Sequence, residues 1–186
     1  MNITYKKNIA CLESLWDDDV ENKMTVTPLL ELIASVNHIQ FTHLTCNTSS
    51  ELAFTLRMLP RRRSYRILYL AFHGNGGVIQ LGDGTYVSME ELAGMMSERF
   101  AGWIVHFGAC GTLGVPRACL ADFYRQTKVA MMIGYCKEVN WVESAAMDLI
   151  LFDWLQGYIS LTAMWNRVRH TYRDLLRNTG LTVYPV

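Results

Sequence analysis

The segment YRILYLAFHGNGG, residues 65–77, runs from a stretch of large apolar side chains into a histidine and then at once into small residues. Its first part, residues 66–72, is rich in Ile, Leu, Tyr and Phe, the composition of a strand buried on both faces. A purely structural strand needs neither His73 nor the glycines after it. A strand that carries a proton-transfer group to the rim of a sheet needs both, the imidazole for chemistry and the glycines for space beside it. A second segment, WIVHFGACGTL at residues 103–113, repeats the form: an apolar run followed by Gly108-Ala109-Cys110-Gly111-Thr112.

Outward from these two segments, strand-like and helix-like patterns alternate. Strands are expected at 3–12, 39–46, 66–72, 103–108, 129–135 and 181–184. Helices are expected at 28–36, 48–59, 88–100, 116–126, 142–157 and 161–178. Residues 17–19 read as a loop. The helix at 28 follows a Thr-Pro start, and Ser88-Met-Glu-Glu91 is a capping box. Residues 78–87 contain Gly-Asp-Gly and suggest a small hairpin. This alternation predicts an α/β fold, a three-layer α/β/α sandwich with a mostly parallel sheet and helices on both faces. With no repeat or linker, residues 1–186 read as a single domain, in which residues 1–26 supply an N-terminal strand and loop. Sites in such sheets form beyond the carboxyl ends of the strands.

A right-handed crossover between the two segments brings His73 and Cys110 to the same end of the sheet. A thiol is a weak nucleophile until it loses its proton, and an imidazole nearby can take that proton. Attack on a peptide carbonyl generates an oxyanion, which the backbone amides of Gly74 and Cys110 are placed to stabilise. His73 can then protonate the leaving amine.

The order and surroundings of LYLAFHGNGG and WIVHFGACGTL resemble the caspase-like cysteine peptidases of clan CD, including the CHAT branch related to separase. The intervening VIQLGDGTYVSMEEL is similar to that family's hairpin and following helix. VAMMIGYCKEVNWVESAAMDLILFDWLQGYISLTAMW is similar to the strand, turn and helix after its nucleophile. The likeness runs from about residue 39 to the C-terminus, with His73 and Cys110 separated by 37 positions (110 minus 73). It implies a cysteine endopeptidase acting on a protein or peptide substrate, with His73 as acid and base and Cys110 as nucleophile. Gly74 and the Cys110 amide would form the oxyanion hole, and no metal or cofactor is implied. Many relatives carry an acidic or amide residue two positions before the cysteine, where this chain has Gly108. The substrate pocket is then expected from Gly108 and from Tyr135, Lys137, Glu138, Trp141 and Glu143. Lys137 would favour an acidic P1 side chain and Glu138 or Glu143 a basic one; the reading leans to a basic or small P1. The resemblance also implies activation by a protein partner or a signal-sensing subunit, in bacterial antiviral defence or regulated death. The alternative is a catalytically inactive caspase-like binding or adaptor module.

Bland readings stand beside these. His73 alone is a core histidine, and Cys110 alone a small buried hydrophobe. His106 shares the strand alternation of Gly108 and Cys110 and competes with His73 as base. His38, His43 and His170 show no partner signal. Cys46, Cys119 and Cys136 read as packing residues, with Cys136 also a candidate for the pocket rim, and Cys11 as partly exposed. The aromatic residues from Trp141 to Trp165 recur at helical spacing and read mostly as core, with Trp141, at the turn, nearest to substrate. A dinucleotide site fails because Ile79 occupies the last glycine position of G-x-G-x-x-G. An α/β-hydrolase elbow fails because its histidine must follow the nucleophile.

Composition narrows the class further. Of 186 residues 51% are apolar, and 17 basic residues balance 17 acidic ones, so no basic field invites nucleic acid. The run Arg61-Arg62-Arg63, with Arg66 nearby, reads as a solvated turn, with an anion or partner contact as the alternative. Five irregularly spaced cysteines without C-x-x-C argue against a disulfide framework or a zinc site. No apolar stretch reaches about 18 residues and the N-terminus lacks a signal-peptide core, so no membrane span and a cytoplasmic location are expected.

Overall fold

The structure, a computed structural model, describes residues 6–17, 21 and 24–185. Among these residues there are nine strands and seven α-helices. In chain order they are β1 (Asn8–Glu13), α1 (Thr27–Asn37), β2 (Phe41–Thr45), α2 (Ser49–Met58), β3 (Tyr65–Ala71), β4 (His73–Asn75), β5 (Val78–Gln80) and β6 (Tyr86–Ser88). There follow α3 (Met89–Met96), β7 (Ile104–Phe107), α4 (Arg117–Thr127), β8 (Met131–Tyr135), α5 (Trp141–Gly157), α6 (Leu161–Thr171), α7 (Arg173–Thr179) and β9 (Leu181–Tyr184). None of these helices is long and apolar enough to cross a membrane.

Local chemistry starts the helices where the sequence signals them. Thr48 with Glu51, and Ser88 with Glu91, form complete capping boxes at α2 and α3. Asn140 caps α5 by accepting from the amides of Val142 and Glu143. Gly180 closes α7 with φ near 69°.

Six strands form one sheet in the order β2-β1-β3-β7-β8-β9, and β4-β5-β6 form a small antiparallel sheet. All neighbours in the large sheet are parallel except β8 and β9. Alternation along β3 divides its side chains between two cores. Leu68 and Leu70 join α2, α3 and α4, whereas Ile67, Tyr69 and Ala71 join α1, α5, α6 and α7. Burying each large side chain of this kind contributes about 1.5–3 kcal/mol, which is why the apolar runs settle in the middle of the sheet.

Four expectations change. The strand expected at 3–12 is β1, Asn8–Glu13, paired on both sides by β2 and β3; residues 3–5 lie outside the described residues. His73-Gly74-Asn75, where no strand is expected between the run at 66–72 and the hairpin at 78–87, is β4, pairing with β5. The helix expected over 161–178 breaks at Tyr172, which leaves helical dihedrals and packs its ring edge-on against Trp154. Cys11 is fully buried because β1 is an inner strand, while Cys119 on α4 and Cys136 just past β8 are exposed.

Candidate active site

Parallel pairing of β3 with β7 sets Leu70 opposite Phe107. His73 lies three residues beyond Leu70 and Cys110 three beyond Phe107, so both leave the sheet at its carboxyl rim. They line the same cleft, a cavity of about 540 Å³. The Cys110 thiol is half-buried and donates to the Val139 carbonyl at 3.7 Å. The neighbouring amides of Gly108 and Gly111 are taken by the carbonyls of Leu70 and Lys137. The Cys110 amide has no acceptor among the described residues and stays available to an incoming oxygen.

Gly74 belongs to β4, directly against this turn. A Cβ there would come within 2.5 Å of Thr112 Oγ1 and 2.7 Å of the Ala109 Cβ. Only glycine lets the backbone after the histidine approach the backbone around the cysteine so closely.

His73 is exposed and its orientation is held. Its Nε2 is 2.6 Å from the Trp16 carbonyl oxygen. A carbonyl only accepts, so Nε2 carries the hydrogen and the lone pair rests on Nδ1. The Trp16 ring meets His73 edge-on at 5.2 Å and Trp141 edge-on at 4.6 Å. Trp16 therefore fills the angle between the histidine and the first turn of α5.

The inner wall is polar and buried. Asp148 on α5 is 2% exposed and reaches the cleft. Its Oδ2 accepts from Tyr69 at 2.7 Å, and its Oδ1 accepts from Tyr135 at 2.5 Å and faces His106 Nε2 at 2.7 Å. Burial, and then the Asp148 carboxylate, push both phenols well above their ordinary range. The ring of Tyr69 occupies the space beside Gly108, where a Cβ would stand 2.6 Å from Tyr69 Cε2. The space beside Gly108 is thus closed by a tyrosine, and the carboxylate of the wall comes from α5.

The residues expected to form the substrate pocket separate into two groups. Gly108, Glu138 and Trp141 line the cleft with His73 and Cys110. Tyr135, Lys137 and Glu143 do not. Tyr135 is fully buried beneath the wall, since β8 is an inner strand. Lys137 turns away, its Nζ donating to the Arg177 carbonyl at 3.0 Å. Glu143 is exposed on the first turn of α5, outside the cleft. His106 is fully buried and stacks on Tyr69 with ring centroids 5.1 Å apart. Its Nδ1 is 3.3 Å from the Ile133 carbonyl, and it does not line the cleft.

Sequence reasoning missed Trp16, Asp148 and the carboxylate that secures Trp16, Glu13. It also gave His43 no partner, whereas His43 Nε2 is 2.5 Å from Glu13 Oε2. The available signals were a lone aspartate in the apolar turn Met147-Asp148-Leu149 and a glutamate closing the apolar run of β1.

A family model described as a family of unknown function (DUF6642) matches residues 6–185. The chain belongs to that family. The match takes in every residue of the cleft, from Trp16 through Asp148. No curated protein matches the DUF6642 chain.

Proposed function

We propose that the chain is a cysteine endopeptidase, a caspase-like three-layer α/β/α sandwich that cleaves a protein substrate through His73 and Cys110. The observation that carries this reading is the meeting of His73 and Cys110 in one cleft at the carboxyl ends of two neighbouring parallel strands. Nδ1 of His73 takes the thiol proton, and the Cys110 sulfur attacks the carbonyl carbon of the scissile bond. The carbonyl oxygen, now negative, is held by the amides of Cys110 and Gly74. His73 returns its proton to the leaving nitrogen as the C–N bond breaks. Water then hydrolyses the thioester and restores the thiol.

Two further features support the reading. His73 also borders a second depression of about 400 Å³, lined by Gly74, Asn75, Gln80 and Tyr86. Space on both sides of the histidine suits a chain that continues past the scissile bond in both directions, as an endopeptidase requires. Among the described residues, the acidic side chains lining the main cleft are Glu138 and Asp148, and no Lys or Arg lines it. This favours a basic or small P1 side chain over an acidic one. Activation by a partner protein or signal, in defence or regulated death, is part of the proposal.

N-terminal peptide mapping of a whole-cell lysate, treated with wild type or with Cys110→Ala, tests the reading. New termini appearing only with wild type, under an activating condition or without one, support it. An electrophilic peptide probe should label Cys110. Failure of both, in all activation states, identifies the chain as a binding module instead. Fluorogenic substrates differing only at P1 test the pocket, and a clean preference for Asp overturns that part. Full activity of the isolated chain on ordinary substrates overturns the activation.

A further inference from the structure

We propose that Glu13 is a positioning residue for His73, acting through Trp16. The inference rests on the peptidase reading, in which His73 is the base, but its structural core can be measured without turnover.

Glu13 is the last residue of β1 and is 4% exposed. A carboxylate buried so far is retained only where donors surround it. Four do. Oε1 accepts from the Trp16 indole Nε1–H at 2.7 Å and from the Val26 amide at 2.9 Å. Oε2 accepts from the Thr25 hydroxyl at 2.6 Å and faces His43 Nε2 at 2.5 Å. Burial pushes this carboxyl up, yet the hydrogen bonds together hold it below its ordinary range.

These bonds join three parts of the chain. The Trp16 side chain is tied back to the strand end only three residues before it. Val26, which caps α1, and Thr25 both line the cleft and are tied to the same carboxylate. His43 ties in β2. The consequence falls on Trp16, whose carbonyl accepts from His73 and whose ring packs against His73 and Trp141. Glu13 touches neither His73 nor Cys110. It fixes the residue that fixes the tautomer and tilt of the imidazole.

Gln and Ala separate this role from general support. In Glu13→Gln the remaining carbonyl oxygen keeps the Trp16 and Val26 donors, and the amide can donate to Thr25 and His43. In Glu13→Ala every link is lost. Nitrogen-15 NMR of histidine-labelled full chain, with His73 assigned by His73→Ala, reads the tautomer directly. The expected result is an Nε2–H tautomer in wild type and in Glu13→Gln, and a mixture of tautomers in Glu13→Ala. On a substrate found by lysate mapping, kcat of Glu13→Ala should fall by about 10–100-fold, the scale of a misplaced reacting group, with KM changed far less. Glu13→Gln should recover most of it. Trp16→Phe removes the indole N–H together with part of the ring that packs on His73 and Trp141, and should mix the tautomers as Glu13→Ala does, which keeps the test open if Glu13→Ala does not fold. An unchanged His73 tautomer in Glu13→Ala or Trp16→Phe overturns the proposal. A wild type that cleaves nothing while these tautomers shift as expected overturns only the peptidase reading.

Discussion

Replacing Asp148 by alanine removes the one acceptor shared by three buried donors, the hydroxyls of Tyr69 and Tyr135 and the His106 Nε2–H. Tyr69 is 3% exposed and the other two are fully buried, so no donor can turn to water without opening the core. The Tyr135 hydroxyl keeps the Ser144 carbonyl at 3.1 Å, so two donors are orphaned; at about 1–3 kcal/mol each they set an upper bound of about 6 kcal/mol. Neighbours relax into the space, and removing one partner of a buried pair costs about 3–5 kcal/mol in practice. The expected loss for Asp148→Ala is therefore roughly 4 kcal/mol, a large part of the 5–15 kcal/mol that holds a domain together. Asparagine keeps one acceptor oxygen and sets an amide against a hydroxyl that can accept. It gives up mainly the charge assistance, so Asp148→Asn should lose about 1–2 kcal/mol. Urea unfolding followed by tryptophan fluorescence measures both, with the comparison made at unchanged slope. A loss under about 1 kcal/mol for Asp148→Ala, or an asparagine variant less stable than the alanine one, would refute the account of Asp148 as the acceptor that organises this wall.

Gly108→Ala sets a methyl group against the Tyr69 ring, and overpacking should cost about 1–3 kcal/mol, seen as a lower melting temperature. Glu13 has a lowered pKa in the folded state, so its contribution is present above its unfolded value of about 4.3 and is lost as pH falls through the lower folded value. Urea midpoints of wild type should drop more steeply than those of Glu13→Gln as pH falls below about 4.3. The phenols of Tyr69 and Tyr135 are raised, so their contribution is present below about pH 10 and is lost as pH rises through their folded values. In an alkaline titration at 295 nm these two should ionise only on unfolding, and Tyr69→Phe should shrink that late step.

The placement of His73 and Cys110 at one rim was legible because the covalent chain itself sets them at strand ends. An apolar run specifies a buried strand by composition, and whatever follows it within three residues must emerge at the rim. What supports the pair was illegible for the converse reason. Glu13 meets His43 across 30 positions of sequence, and Asp148 meets Tyr69 across 79. Such partners become neighbours only through the order and register of the sheet, which periodicity does not encode. β4 escaped notice because His-Gly-Asn is polar throughout and has no alternation to read, and its strand character comes from β5 beside it. The helix break at Tyr172 carries neither Gly nor Pro. Asp148 could have been suspected, since a single acid between Met147 and Leu149 has to be paid for by partners somewhere. Glu13 could have been suspected on the same ground, at the close of a strand whose last five residues are all buried. In both cases the physical signal is a charge where burial is expected, and in both the structure finds it joined to the cleft rather than to the bulk of the core. The cost of burying these two carboxylates is thus offset by hydrogen bonds made beside the groups proposed to react, and the same bonds hold the cleft wall and, through Trp16, the imidazole.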